Sequence, residues 1–304
     1  MKNGVTPQKI CIASFPPIQL SYAFCQNRVK QLNHNISSRS PIGIFDSGIG
    51  GLTVAKAVMD KLPNEDIIYF GDTARVPYGI KSEETVSKYS TQIAKFLIGQ
   101  GVKMIIIACN TASAAAFKAV QAAAGNIPVL NVIDAGTAAA IQSGKKVIGV
   151  IGTLGTVSSG AYDVSLKQAN GALTIKSKAC PMLVPLAEEG WTDNEVALKT
   201  IDLYLKPFRN NGVEALILGC THYPLFKQPI QEYFAEKGLE IIDSAESVAG
   251  MAKNKLGGLN LLNDDTNPGA FTCYVSDRPQ RFHELAERFL GREPENVFVE
   301  SLKD

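Results

Sequence analysis

Two cysteines, each placed where a short apolar run ends, are the residues of this sequence best suited to chemistry. Cys109 follows the run MIIIA, and Cys220 follows the run ALILG. Apolar runs without alternation are typical of strands that are buried on both faces of a parallel sheet. Each thiol is therefore predicted to lie at the carboxyl end of a strand, where open α/β sheets bind their ligands.

The residues after each thiol are of types that begin helices. Asn110, Thr111 and Ser113 are N-cap residue types, and Thr221 and His222 follow the second thiol. A helix N-terminus lowers the pKa of a thiol and stabilises a bound carboxylate. Two strand–Cys–Thr junctions in one chain suggest an internal duplication, in which both thiols face one shared ligand.

Around these junctions the chain repeats a unit of apolar strand, polar or glycine-rich turn, and helix. This repetition predicts an α/β fold built on a doubly wound parallel sheet. Strands are predicted at 42–45, 67–70, 104–108, 129–132, 147–151, 174–177, 215–218, 239–242, 271–275 and 297–299. Helices are predicted at 52–61, 82–100, 112–123, 135–142, 157–168, 194–209, 225–236, 244–255 and 281–290.

Two further strand-to-helix turns mirror each other. The first strand ends in Asp46, Ser47 and several glycines, and the fifth ends in the sequence GTLGT, which contains Thr153. Glycines at such a turn let backbone amides approach an anion, although a tight turn alone would also need them. The sequence does not match the dinucleotide-binding fingerprint, because Thr53 occupies the position where that fingerprint requires a glycine. The carboxylate of Asp46 would repel a phosphate and is better suited to an ammonium group.

The remaining candidate residues lie in two loops. The sequence GDTARVPYG, which ends in Tyr78 and Gly79, combines turn-forming residues with a charge pair and indicates a functional loop. An irregular segment is predicted at 180–190, because it contains two prolines. Glu188 in this segment is interpreted either as solvated surface or as a partner for a ligand amine.

The composition argues against several classes of protein. The 304 residues carry 30 basic and 29 acidic side chains, which gives no reason to expect binding to nucleic acid or to an acidic membrane. No apolar run approaches the roughly 18–20 residues that span a bilayer. The six scattered cysteines favour reduced thiols in the cytoplasm. Residues 1–40 are predicted to form a poorly ordered or surface-packed extension, because two prolines interrupt a run that superficially resembles a signal peptide.

Taken together, the junctions resemble those of the glutamate racemases, in the aspartate/glutamate racemase superfamily. The segments that carry the resemblance are FDSGIGG (45–51), GDTARVPYG (71–79), ACNTAS (108–113), VPLAEEG (184–190), GCTHYPL (219–225) and FTCYVSDRPQRFHELAERFLG (271–291). The resemblance extends over 42–301. Single motifs of this kind are weak, but all of them in this order are specific.

The resemblance implies two doubly wound α/β domains, related by pseudo-symmetry, with the active site in the cleft between them. The implied first domain comprises 41–135 and 243–304, and the second comprises 136–242. The implied reaction interconverts L- and D-glutamate without pyridoxal phosphate, metal or nucleotide, and supplies D-glutamate for peptidoglycan. The resemblance also implies a homodimer.

Carried over to matching positions, the resemblance makes Cys109 and Cys220 the two catalytic bases. Cys109 takes the proton from the D-isomer and Cys220 takes it from the L-isomer. Two opposed groups suit this reaction, because a single fixed base would return the proton to the same face. The implied substrate contacts are Asp46, Ser47, Tyr78, Gly79, Asn110, Thr111, Thr221 and His222, with Glu188 and Thr153 in auxiliary roles.

Four alternatives stay open from the residues. Cys109, Cys220 and His222 would also suit zinc, but a structural site usually has a fourth ligand, and the sequence offers no matching knuckle. A Cys–His pair would suit acyl transfer, which leaves the other Cys–Thr junction without a role. Aspartate is an alternative substrate, and a non-catalytic amino-acid-binding protein is an alternative function.

Overall fold

The computed structural model describes residues 36–302, which contain two fully parallel β-sheets. Each strand pairing runs in parallel, as a fold of repeated strand–helix units requires. The strands are β1 (Ile42–Asp46), β2 (Ile67–Gly71), β3 (Met104–Ile107), β4 (Val129–Asn131), β5 (Val147–Gly152), β6 (Thr174–Ala179), β7 (Ala215–Gly219), β8 (Glu240–Ile242), β9 (Phe271–Val275) and β10 (Asn296–Val299).

Helices alternate with these strands along most of the described chain. The α-helices are α1 (Leu52–Lys61), α2 (Glu83–Gly99), α3 (Asn110–Ala124), α4 (Val132–Gln142), α5 (Leu154–Ser158), α6 (Ala161–Ala169), α7 (Leu183–Glu188), α8 (Glu195–Asn210), α9 (Lys227–Tyr233), α10 (Ser244–Gly258) and α11 (Pro279–Leu290). Short 3₁₀ helices are formed by Tyr78–Ile80, Tyr223–Phe226 and Ala235–Lys237.

The strand order of the two sheets reveals the internal duplication. The six-stranded sheet has the order β10-β9-β2-β1-β3-β4, and the four-stranded sheet has the order β6-β5-β7-β8. The sequence of steps from β1 to β4 is therefore repeated from β5 to β8. In each sheet the order reverses at the first strand of the repeat, which creates a topological switch point. The predicted fold of two doubly wound parallel sheets is confirmed.

The central strands are buried on both faces, which explains their unbroken apolar sequence. Along β3, Met104 and Ile106 belong to one hydrophobic core, whereas Ile105 and Ile107 belong to another. Successive side chains of a strand point to opposite faces, so helices must cover both sides of this sheet. The same requirement explains why β3 and β7 were recognisable as strands from their apolar sequence.

The chain passes between the sheets twice, through α4 and through α10. These two helices pack against each other. The strands of the first sheet lie within 42–131 and 271–299, and those of the second lie within 147–242. The finer division into domains at 135/136 and 242/243 stays a prediction.

Three local predictions were wrong. The segment predicted to be irregular contains α7, because Pro185 lies in its first turn, where a missing backbone N–H costs no helical hydrogen bond. The helix predicted at 157–168 is divided into α5 and α6 by Gly160, whose φ of 65° ends the first and precedes the second. The helix predicted at 225–236 is shorter, since its first turn and its end are 3₁₀.

The proposed N-terminal extension falls almost wholly outside the described residues. Its last residues, 36–40, form a turn before β1, and residues 1–35 are not described. Within residues 36–302, no helix is long and apolar enough to cross a membrane.

A buried ion pair stabilises the sheet edge opposite the thiols. Lys103 precedes β3 and Glu65 precedes β2, and their paired side chains are 0% and 3% exposed. Lys103 also donates to the carbonyl oxygen of Ser38, and Glu65 accepts from the backbone N–H of Asn263 at 2.9 Å. Removing one partner of such a pair leaves an uncompensated charge in a medium of low polarity.

We expect Lys103→Met to lower the free energy of unfolding by about 3–5 kcal/mol, because it leaves the Glu65 carboxylate buried and unpaired. Denaturant unfolding measures this change. The matched control is Lys56→Met, which breaks the exposed pair with Asp60 and is expected to cost at most about 1 kcal/mol. Equal unfolding midpoints for the two variants would contradict the assignment.

Candidate active site

The carboxyl ends of the two sheets meet at a cavity that both predicted thiols line. Its volume is about 190 Å³. Cys109 follows β3 and Cys220 follows β7, which are equivalent strands of the two repeats. The two residues are 5% and 6% exposed, so each thiol is largely buried.

Most residues predicted for the site lie in the wall of this cavity. Besides the two cysteines, the predicted residues that line it are Ser47, Tyr78, Gly79, Asn110, Thr111, Thr153, Glu188, Thr221 and His222. Asp46 lies behind this wall and is fully buried. Within residues 36–302, no group of three or more His, Cys, Asp or Glu side chains could hold a metal ion.

Cys109 is the N-cap residue of α3. Its sulfur accepts from the backbone N–H of Ala112 at 3.4 Å and lies 3.6 Å from the hydroxyl oxygen of Ser47. Burial, and after it the charge of Asp46, raise the pKa of the Cys109 thiol to about 12. The amide of Ala112 at the helix terminus lowers this pKa, as expected, and so does Ser47, but burial outweighs them because a buried thiolate loses its water.

Cys220 has a different neighbourhood, with a histidine two residues later. The Cys220 sulfur lies 3.8 Å from Nδ1 of His222, and Nε2 of His222 lies 3.1 Å from Oε1 of Glu188. Burial alone would lower the pKa of His222, but its bonds to Cys220 and Glu188 and the negative charges of the Cys220 thiolate and Asp46 raise it to about 10. The hydrogen bond to His222 lowers the pKa of Glu188. This arrangement favours an imidazolium cation beside the second sulfur when that sulfur is a thiolate.

The Asp46 turn contacts the other repeat at close range. Asp46 accepts from the backbone N–H of Gly48 at 3.0 Å and from the Thr221 hydroxyl at 3.5 Å. Burial raises its pKa, against the positive charge of His222. A Cβ atom on Gly50 would lie 2.4 Å from the Thr221 hydroxyl oxygen, so only glycine lets the two turns approach this closely.

Three threonine hydroxyls join the other pair of turns. The Oγ1 atom of Thr111 lies 2.9 Å from that of Thr153 and 3.3 Å from that of Thr156. The Oγ1 atoms of Thr153 and Thr156 are 3.0 Å apart. Hydroxyls both donate and accept, so this cluster can redirect its protons toward an anion in the cavity.

Tyr78 is held from behind by Asp72. The Tyr78 hydroxyl donates to the Asp72 carboxylate, which also accepts from the Arg75 Nε at 2.7 Å and the Ser276 hydroxyl at 2.8 Å. Burial and the charge of Asp72 raise the pKa of Tyr78, which stays neutral. The loop predicted to be functional is thus fixed by a buried carboxylate rather than mobile in solvent.

Sequence reasoning missed the residues that hold the His222–Glu188 pair. The ring of Phe289 contacts that of His222 edge to face, with centroids 5.2 Å apart. Arg288 donates to the backbone carbonyl of Glu188. Both residues belong to α11, whose amphipathic pattern is that of any packed helix. No local signal distinguishes them, because their partners, Glu188 and His222, lie far earlier in the chain.

Comparisons with known proteins agree with this architecture. A sequence model of the Asp/Glu/Hydantoin racemase family matches residues 53–252. This match covers more than half of the chain and marks it as a member of a racemase family.

More specific relatives narrow the assignment. The chain is 49% identical to a glutamate racemase of Geobacter metallireducens over 265 residues, which cover 86% of this chain and 97% of that protein. The crystal structure of a glutamate racemase from Francisella tularensis in complex with D-glutamate matches with a TM-score of 0.83 and 42% identity. That match covers 88% of this chain and 99% of the other. The chain belongs to the Asp/Glu/hydantoin racemase family and, within it, to the glutamate racemases, which are isomerases.

We expect Asp46→Asn to increase the rate at which iodoacetamide alkylates Cys109 in the ligand-free protein. The negative charge of Asp46 raises the pKa of this thiol, so its removal lets the reactive thiolate form at lower pH. Mass spectrometry of the Cys109 peptide measures the rate between about pH 7 and pH 10, where wild-type alkylation should rise by up to about tenfold per pH unit.

The matched control for this prediction is Ser47→Ala. It removes a neutral group whose hydrogen bond lowers the pKa of Cys109, so alkylation should become slower. Equal rates in wild type and Asp46→Asn would show that Asp46 does not oppose ionisation of the thiol.

Proposed function

We propose that this protein interconverts L- and D-glutamate by a two-base mechanism in which Cys109 and Cys220 act on opposite faces of Cα. The observation that carries the proposal is that both thiols line one small cavity and come from equivalent strands of the two sheets. One sulfur removes the Cα proton as thiolate while the other, as thiol, returns a proton to the opposite face. Their roles are exchanged in the reverse direction.

The substrate itself helps Cys109 to ionise. Burial and the charge of Asp46 keep this group in its thiol form at neutral pH. A bound α-ammonium group near Asp46 would neutralise the charge that opposes ionisation, and would add a positive charge close to the sulfur. Asp46 therefore couples binding of the amino acid to formation of the base.

The second base has a proton carrier in contact with it. The His222 cation lies within hydrogen-bonding range of the Cys220 sulfur and is paired with Glu188. By analogy with the family, Cys220 abstracts the proton of the L-isomer and Cys109 abstracts that of the D-isomer. His222 and Asp46 then orient or exchange the protons of their neighbouring sulfurs.

Neutral donors at the strand ends are suited to the substrate carboxylates. The side chains of Ser47, Asn110, Thr111 and Thr221 line the cavity, and hydroxyl and amide donors stabilise the charge that spreads from Cα into the α-carboxylate. Gly79 and Tyr78 lie in the same wall, and Thr153 adjoins Thr111. The reaction needs no electron-sink cofactor under this proposal, because the ammonium group and these donors stabilise the carbanion-like transition state.

The biological role proposed for the protein is supply of D-glutamate for peptidoglycan in the cytoplasm, as a homodimer. Resemblance to the family supports this role. The four cysteines within the described residues are unpaired, which agrees with a reducing compartment. Light scattering of the purified protein tests the dimer.

The decisive experiment follows the circular dichroism of separate L- and D-glutamate solutions after the purified, chelator-treated protein is added without any cofactor. Both signals should decay to zero at the same final composition. Binding of glutamate without decay would favour an amino-acid-binding protein. Decay with aspartate but not with glutamate would move the assignment to aspartate.

We expect Cys109→Ala and Cys220→Ala each to reduce racemisation at least about a thousandfold, because each variant removes one of two obligatory proton-transfer groups. Circular dichroism measures turnover, and thermal unfolding shows whether the fold is retained. The matched control is Cys180→Ala, which removes a buried thiol that does not line the cavity. Retention of more than about a tenth of wild-type activity in either cavity variant would contradict a two-thiol mechanism.

A further inference from the structure

A tyrosine from the second repeat contacts the residue beside the first thiol. Tyr162 belongs to α6 and is 1% exposed. Its hydroxyl donates to Oδ1 of Asn110 at 2.7 Å. Asn110 is the first residue of α3 and directly follows Cys109. Tyr162 is not one of the residues that line the cavity, whereas Asn110 is. The tyrosine therefore contacts Asn110 from outside the cavity.

The phenol of Tyr162 acts as the donor in this contact. Two acceptors lie within its range, Oδ1 of Asn110 at 2.7 Å and the Val132 carbonyl oxygen at 3.5 Å, and the Asn110 oxygen is the nearer. A phenol O–H that donates to the amide fixes which end of the amide is oxygen.

The other end of the same amide has no partner of its own. Asn110 is 2% exposed and lines the cavity. Its Nδ2 atom is buried and has no hydrogen-bond partner. Among the described residues, it is the one buried side-chain atom without a partner that belongs to the cavity wall. A buried amide N–H without an acceptor is unfavourable, which suggests that a ligand atom completes it.

Two glycines leave the space that the Tyr162 ring occupies. A Cβ atom on Gly136 of α4 would lie 3.1 Å from the Tyr162 hydroxyl oxygen. A Cβ atom on Gly219, the residue before Cys220, would lie 3.1 Å from the edge of the ring. Both distances are tighter than ordinary van der Waals contacts. The absence of side chains on both sides lets the hydroxyl reach Asn110.

We propose that Tyr162 is a positioning residue that holds the Asn110 amide with its N–H group toward a carboxylate of the bound amino acid. The inference rests on the proposed function, since it takes glutamate as the ligand of the cavity. Without the Tyr162 hydroxyl the amide rotates, and its oxygen faces the carboxylate in part of the molecules. An oxygen in that position repels the carboxylate and lowers the affinity for substrate.

The test uses Tyr162→Phe in the full-length protein. Loss of one hydrogen bond to a charged group predicts an increase in KM and a decrease in kcat/KM for glutamate of about tenfold. Circular dichroism measures both constants, and thermal unfolding measures stability separately. Values of kcat/KM within about twofold of wild type would overturn the proposal. Tyr233→Phe, which removes a hydroxyl bound to Asp202 outside the cavity, serves as control and should leave both constants unchanged.

A double-mutant cycle with Asn110→Ala separates positioning from a merely structural role. If Tyr162 acts through the amide, Tyr162→Phe should cause no further loss of kcat/KM once Asn110 is alanine. The same fractional loss in both backgrounds would overturn the proposal, because it would show that Tyr162 acts elsewhere.

Failure of this inference and failure of the proposed function have different signatures. If wild-type protein does not racemise glutamate, the proposed function is lost before any variant is made. If wild type racemises glutamate and Tyr162→Phe has wild-type constants, only the positioning role is refuted.

Discussion

The structure depends on close contact between strand ends that belong to two separate sheets. Gly50 lies against Thr221 and His222, and Thr111 lies against Thr153. Two groups that approach one carbon atom from both sides must lie on opposite walls of the cavity that holds it. Two parallel sheets with the same strand order meet this need, because each presents the carboxyl end of a switch-point strand to the other.

The closure that brings the thiols together also makes it costly to ionise them. Burial fixes the position of a sulfur atom, but it removes the water that would stabilise the negative charge of a thiolate. The protein compensates on one side with the His222 cation, and on the other leaves Cys109 without a positive partner. A zwitterionic substrate supplies the missing cation under the proposed mechanism. Ionisation of the base is then linked to occupancy of the cavity, which limits reactions of a free thiolate.

Sequence reasoning succeeded where a local pattern has a single physical cause. The buried strands β3 and β7 are unbroken apolar runs, so these strands and the position of the thiol after each were predictable. It failed where the determinant is distant: Phe289 and Tyr162 have ordinary helical contexts, and only the folded chain brings them to His222 and Asn110. For Cys109 it recognised the helix terminus, a local signal that lowers the pKa, but not burial, which raises the pKa more and depends on the whole fold.

The two repeats share a topology but not a chemistry. Cys109 is the N-cap of a 15-residue helix beside a neutral hydroxyl, whereas Cys220 precedes a 3₁₀ turn and a charged histidine. L- and D-glutamate have equal free energies in water, so the overall equilibrium constant is one whatever surrounds each sulfur. The kcat/KM values of the two directions must then be equal. Under the two-base mechanism, the asymmetry of the repeats is therefore confined to a trade between kcat and KM in each direction, and no change at either thiol can favour one enantiomer at equilibrium.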